Sequence, residues 1–313
     1  MSEEKKKVQY RVRNWREYNG ALIQRGGLTL WFETKTVESW LNTELNGKRG
    51  HPYVYSDVAV ECMLLLKQVF HLALRQTQGF MQSIFQLVGQ ELPVLSYSQL
   101  SRRQQNLKVN LPRQKRGQAL HVVVDATGLK VYGEGEWKTR QHGIGKRRTW
   151  RKVHLAFDAA TGEVVAEATT ENNVHEKEKM PDLLVQIEEE IAQVSADTGY
   201  DYQTCYQAIA DKDARAVIPP RRNGRVWDNG QMDDRDDNLR RIAAVGRDAW
   251  KQESDYHQRS LAETGIFRLK KIFGPGLLAR NLKRQQIEVR VRCVALNRMT
   301  ALGMPDSYPL ALA

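Results

Sequence analysis

The chain has 313 residues, enough for one large domain or two ordinary ones. Hydrophobic residues at 41% and aromatics at 8% exclude a disordered chain. With Lys plus Arg at 48 against Asp plus Glu at 37, the net charge of +11 favours a polyanionic partner. No run of 18 apolar residues exists, and the N-terminus MSEEKKKVQYRV has no apolar core of a secretory signal. Cys62, Cys205 and Cys293 form no CxxC pair, so buried free thiols in a reducing cytoplasm are expected.

Residues 1–50 are mixed and basic, with a Gly-punctuated stretch, GALIQRGGLTLWF. Residues 56–89 read as two helices. Ser56 or Asp57 caps the first, and Ala59, Met63, Leu66 and Phe70 recur at helical spacing. A third short helix follows at SYSQLSRRQQNL, capped by Ser96 or Ser98 and carrying Arg102 and Arg103. Three such helices suit either a helix-turn-helix-like DNA-binding module or a plain bundle. LPRQKRG, residues 111–117, reads as a linker.

Beyond it the pattern changes. HVVVDATG is a β-branched run ending at Asp125, and WRKVHLAFDAATGEVVAEATT is a hairpin turning at D-A-A-T-G. Between them, WKTRQHGIGKRRTWRK holds seven cations, two Trp and one His, and no acidic residue lies from Trp137 through Phe157. Basic residues interleaved with aromatics suit a phosphate backbone with bases to stack on, which nominates Arg140, Lys146, Arg147, Arg148, Arg151 and Lys152 as DNA contacts. A solvated loop is the bland alternative. HEKEKMPDLLVQIEEEIAQV is expected to be helical, SADTGYD to leave a short strand, and DYQTCYQAIADKD to be helical. ARAVIPPR reads as a buried strand stopped by Pro219 and Pro220. Further helices are expected at about 241–272 and 280–302. This order predicts a mixed α/β sheet with helices packed on it.

Open α/β sheets present functional groups at the carboxyl ends of their strands. Asp125 and Asp197 are placed there, each followed by a small residue and a glycine that lets the chain turn away. Asp158 also ends a strand, but its hairpin turn accounts for it. Asp201 is read as the cap of the next helix. A third acid lies in YHQRSLAETGIFRLKK. At about 100° per residue, Tyr256, Arg259, Glu263 and Lys270 fall within about 60° on one helical stripe. An Arg259–Glu263 surface pair explains part of this pattern. It leaves Tyr256 and Lys270 unexplained. Two aspartates and a glutamate suffice to hold Mg²⁺, and two such ions about 4 Å apart stabilise phosphoryl transfer. Arg259 and Lys270 would hold phosphates, and Tyr256 would stack on a base or hydrogen-bond a phosphate.

These residues reproduce a Y-(2)-R-(3)-E-(6)-K signature, and the chain resembles DDE transposases of bacterial insertion sequences. ADTGYD, VIPPRRN, RQTQGF and SYSQLSRR point to the IS-five group. The likeness runs from about residue 50 to 305. It implies an RNase H-like catalytic fold with Asp125, Asp197 and Glu263 as ligands of two Mg²⁺ ions, which Mn²⁺ would replace. It implies binding of terminal inverted repeats, cleavage of the element's ends and joining to target DNA by a homodimer or larger synaptic assembly. Division into a helical DNA-binding region (1–116), a catalytic domain (117–304) and a short tail (305–313) follows. The gap from Asp197 to Glu263, 263 − 197 = 66 residues, is too short for the large β-rich insertion of some related transposases. A DNA-binding derivative that no longer cuts, and an RNase H-like nuclease or junction resolvase, are the competing readings.

Overall fold

The computed structural model describes residues 10–42, 54–114, 117–131, 150–227 and 233–310. The described N-terminal part begins with β1 (Tyr10–Val12), α1 (Trp15–Gln24) and α2 (Thr34–Glu38). Three mutually packed helices follow: α3 (Asp57–Val69), α4 (Leu74–Leu87) and α5 (Tyr97–Gln104). Their starts are fixed by local chemistry. Ser56 Oγ accepts from Ala59 N, and Ser96 with Gln99 forms a reciprocal capping box.

The sheet comprises β2 (Leu120–Val131), β3 (Trp150–Asp158), β4 (Val164–Glu171), β5 (Ile191–Ser195) and β6 (Arg215–Val217), ordered β4-β3-β2-β5-β6. β3 runs antiparallel to both β2 and β4, whereas β5 and β6 continue parallel to β2. α6 (Met180–Val185) and α7 (Gln203–Ala210) cover one face. After β6 come α8 (Asp233–Val245), α9 (Arg247–Glu253) and α10 (Ser260–Phe273). The two-residue β7 (Gly276–Leu277) pairs with the end of β2, and α11 (Leu282–Ala301) follows. The expected mixed α/β sheet with flanking helices is therefore present.

Alternation along β2 decides what each face carries. Val122 and Val124 point into the cluster beneath α6 and α7, while Val123 and Leu129 point to the opposite side. That second cluster joins α10 and α11 to the N-terminal helices through Trp31, Met63, Leu66 and Phe85. The helices ahead of residue 116 thus share a core with the sheet.

Several elements differ from expectation. The stretch 175–194 is not one helix: α6 is six residues long, and Ile191 opens β5. Its pairing between β2 and β6 overrides the helical preference of IEEEIAQV, and Ile191 and Val194 are buried on the α6–α7 face. β2 does not stop at Asp125 but continues to Val131 along β3. The expected tail also pairs. β8 (Ser307–Pro309) forms an antiparallel ribbon with β1, a partnership no local pattern reveals.

Candidate active site

Asp125 lies mid-strand, yet it still stands at a rim. The parallel neighbour β5 matches β2 only as far as Val123 opposite Ser195 and then leaves the sheet. Sharing the alternation of Val123 and Leu129, Asp125 points to the α10 face. Asp125 Oδ1 accepts from the Ala126 amide at 2.8 Å. Asp197 follows β5 by two residues and heads a 3₁₀ turn, accepting from Gly199 N at 2.8 Å. Gly199 fits closely here: a Cβ would stand 2.8 Å from Asp197 Oδ1 and 3.1 Å from a Glu176 carboxylate oxygen, so both side chains would have to shift.

α10 brings the third acid. Gly265, two residues beyond Glu263, lets the helix lie directly on Phe157 of β3. The guanidinium of Arg259 binds Glu263 and reaches Asp125 at 3.6 Å. The i,i+4 pair expected of a surface helix therefore forms, and the same cation ties α10 to the β2 acid. Desolvation first, then repulsion from Asp197 and Glu263, raises the Asp125 carboxyl; Ala126 N–H and Arg259 oppose this. The three carboxylates thus sense one another across the rim. Among the described residues, however, no three acidic, His or Cys side chains stand close enough to share a metal ion. Glu263, with 58% of its side chain exposed, lies against Arg259.

The single stripe of four residues is corrected. Asp255 adopts a left-handed conformation (φ 54°), Tyr256–Arg259 form a 3₁₀ turn, and α10 starts only at Ser260. Glu263 and Lys270 share one face of α10, while Tyr256 and Arg259 arrive from the turn before it. The half-buried Tyr256 ring packs on Trp250 with centroids 5.6 Å apart. Its hydroxyl is raised chiefly by burial, with Asp197, Asp125 and Glu263 adding to the effect against Arg259. It therefore borders the acid cluster.

Two further residues near the acids were not nominated from the sequence. Glu176 approaches the Asp197–Gly199 turn and pairs with Lys152 at 3.7 Å. Tyr200 is fully buried and its hydroxyl has no hydrogen-bond partner among the described residues. Burial and then Glu176, Asp125 and Asp197 raise that hydroxyl, so it faces the same acids. The i+3 step from Asp197 to Tyr200 was visible, but only β5's departure directs it at them.

The other nominated cations separate. Arg102 is exposed on α5, whereas Arg103 bonds Asp57 at 2.6 Å and the Tyr55 carbonyl at 2.8 Å, clamping α5 to α3. Arg151 Nε donates to Gln285 Oε1 at 2.7 Å. Lys270 is half-buried on α10. Arg140, Lys146, Arg147 and Arg148 lie outside the described residues.

Both decoy aspartates are structural. Asp158 accepts from Ala160 N and Thr161 Oγ1 in its hairpin, as expected. Asp201 is not the cap of α7, whose N-cap is Tyr202. It is buried, binds Arg235 at 2.8 Å and accepts from Arg221 N, while Arg235 also stacks on Trp227. All three cysteines are buried and free, and no described helix is long and apolar enough to cross a membrane.

Comparison with known families gives two matches. A family model described as a transposase DDE domain matches residues 116–298, and a second with the same description matches residues 23–134. The first spans β2 through most of α11, including Asp125, Asp197 and Glu263.

Proposed function

The chain belongs to the transposase DDE domain family, and from this membership we propose that it binds the terminal inverted repeats of an insertion sequence, cleaves their ends and joins them to target DNA. The family is generally dependent on divalent metal. The observation carrying this reading is the placement of Asp125 and Asp197 on and just after the adjacent parallel strands β2 and β5, with Glu263 of α10 tied to Asp125 through Arg259.

The residues suit a hard divalent cation. Carboxylate oxygens are its preferred protein ligands, and burial, with repulsion from Asp197 and Glu263, raises Asp125 even against Arg259. The orphaned Tyr200 hydroxyl, which Asp125 and Asp197 influence, would bond a water held by such an ion. Asp125 and Asp197 would hold Mg²⁺ or Mn²⁺ directly, and Glu263 would complete the set after leaving Arg259. A pair of ions there would stabilise charge on the phosphate oxygens and favour ionisation of an attacking water or 3′-hydroxyl.

The protein's own part is positioning. Arg259, which pairs with Glu263 and Asp125, would clamp a DNA phosphate if Glu263 were engaged by a metal. Lys270 holds a phosphate farther along α10, and Tyr256, braced by Trp250, contacts the scissile strand. Arg102 extends the basic surface onto the N-terminal region, which would read the repeat. The strand order and mixed direction support an RNase H-like fold for residues 117–304, with 1–116 as the DNA-binding region. Synapsis of two ends calls for a homodimer or larger assembly.

The test uses full-length protein and inverted-repeat DNA. Mg²⁺ or Mn²⁺ is expected to raise its melting temperature and support end cleavage. Asp125→Asn should lose both responses while retaining DNA binding. Full strand transfer by that variant would overturn the triad assignment. Repeat binding by the wild type without metal-dependent cleavage would favour a DNA-binding derivative. Preference for branched DNA or RNA–DNA hybrid would favour a nuclease.

A further inference from the structure

Away from the acids, the junction of the N-terminal helices with the sheet forms a partly open cavity of about 750 Å³. α3, α4 and α5 contribute Lys67, Leu74 and Gln104; Val131, at the end of β2, and Leu278 with Arg284, around the start of α11, close the other side. Arg280 also lines it. Its volume lies within the usual range for small-molecule and nucleotide sites.

Its charge is one-sided. Lys67, Arg280 and Arg284 face the space, and no acidic residue lines it among the described residues. Lys67 is only 7% exposed, yet its ammonium forms no hydrogen bond or ion pair with described residues. Burial pushes its pKa down, Glu288 counters this and Arg292 reinforces it. Glu288 is already engaged: its carboxylate accepts from Leu278 N, Ala279 N and Arg292 Nη2, at 2.8–3.1 Å. Arg284 Nε is likewise buried without a partner. α11 begins beside these cations, with only the Arg284 amide taken by the Asn281 cap. A lysine that is mostly buried and a buried guanidinium nitrogen, neither with a described partner, favour an anion that completes them. Apolar Ala73, Leu74, Val131 and Leu278 offer the rest of the cavity to a sugar or base.

We infer that this cavity takes a phosphate-bearing nucleotide unit of the bound DNA strand, its phosphate held by Lys67, Arg280 and Arg284. The inference rests on the DNA-processing reading and adds a contact remote from the acids. Val131 lies six residues beyond Asp125 on continuous β2, about 20 Å at 3.3 Å per residue. At 3.4 Å per step along one strand, that is roughly six nucleotides from the cleavage centre.

The test measures binding of a labelled inverted-repeat duplex, and separately of deoxyadenosine monophosphate, across a salt series. Wild type is compared with Lys67→Met, with Arg280→Gln/Arg284→Gln, and with Arg280→Lys/Arg284→Lys. Melting curves verify that each variant is folded; Lys67→Met keeps the buried chain length without the charge. The two arginine-to-glutamine changes are expected to weaken duplex binding about tenfold or more and to flatten the salt dependence by about one unit per lost phosphate contact. The lysine pair should retain most of the slope. If the wild type binds duplex and every folded variant keeps its affinity and slope, the cavity assignment falls while the transposase reading stands. Weakening without a change in slope would mark a structural defect and also overturn the assignment. If the wild type binds only the mononucleotide and the variants abolish that, the cavity serves a free nucleotide and the DNA-strand assignment is overturned. Binding of neither ligand would overturn both readings.

Discussion

Replacing Gly265 with alanine puts a methyl group where α10 has no room for one. The added Cβ would stand 2.3 Å from Phe157 Cε1 and 2.6 Å from Cζ, and Phe157 is fully buried in β3. Ordinary carbon contacts begin near 3.5 Å, so helix and ring must separate by about 1 Å. Overpacking of this kind costs about 1–3 kcal/mol, and 2.3 Å against a buried ring belongs at the upper end. Alanine returns about 1 kcal/mol through helix propensity. A net destabilisation of about 2 kcal/mol is expected, read as a lower urea midpoint at unchanged slope. Glu263 sits two residues earlier on the same helix, so a shift of about 1 Å moves it against Asp125 and Asp197. Misplacement on that scale costs up to about a hundredfold in rate. Metal-dependent cleavage should therefore fall far more than DNA binding. Adding Phe157→Leu should recover part of both losses, because the two sites couple through one contact. A Gly265→Ala protein as stable and as active as wild type would show that α10 does not lie on Phe157 as described.

Three further outcomes follow from the same geometry. Asp201→Ala removes the closer of two carboxylates from the buried Arg235, leaving Asp236 at 3.5 Å, and should cost about 3 kcal/mol in denaturant unfolding, whereas loss of a mere helix cap would cost about 1 kcal/mol. Tyr200→Phe removes a hydroxyl without a described partner, so the metal-free protein should melt at or above the wild-type temperature while its Mg²⁺-induced shift shrinks; an unchanged shift would detach Tyr200 from the acid site. His154 is fully buried and, through burial and then Lys152 and Lys179, lowered to about 4 from 6.5. The unfolded chain therefore binds the extra proton between these values, and stability falls as pH drops through that window. The loss from pH 7 to pH 5 is about 2 kcal/mol. His154→Gln should reduce this slope in urea titrations at the two pH values, and an unaltered slope would assign it to other groups.

The sequence was enough for the order of the main sheet's elements, and it nominated the acids. β-branched runs, the D-A-A-T-G hairpin and the Ser56 and Ser96 caps are local signals, and local hydrogen bonds realise them. The spacing of Tyr256, Arg259, Glu263 and Lys270 nominated four residues, although Asp255 and the 3₁₀ turn break the single helix on which they were placed. What eluded the pattern was set by distant partners. IEEEIAQV has a helical composition, but a slot between β2 and β6 makes its end a strand. Asp201 is positioned like a cap until Arg235, 34 residues away, claims its carboxylate. Glu176 and Tyr200 become site residues because β5 leaves the sheet beside Asp125. The cationic cavity combines residues from 67 to 284, each unremarkable in its own segment. Periodicity and capping depend on neighbours within a turn or two, so they can be read along the chain. Partners of buried charges depend on which surfaces meet, and only tertiary packing decides that.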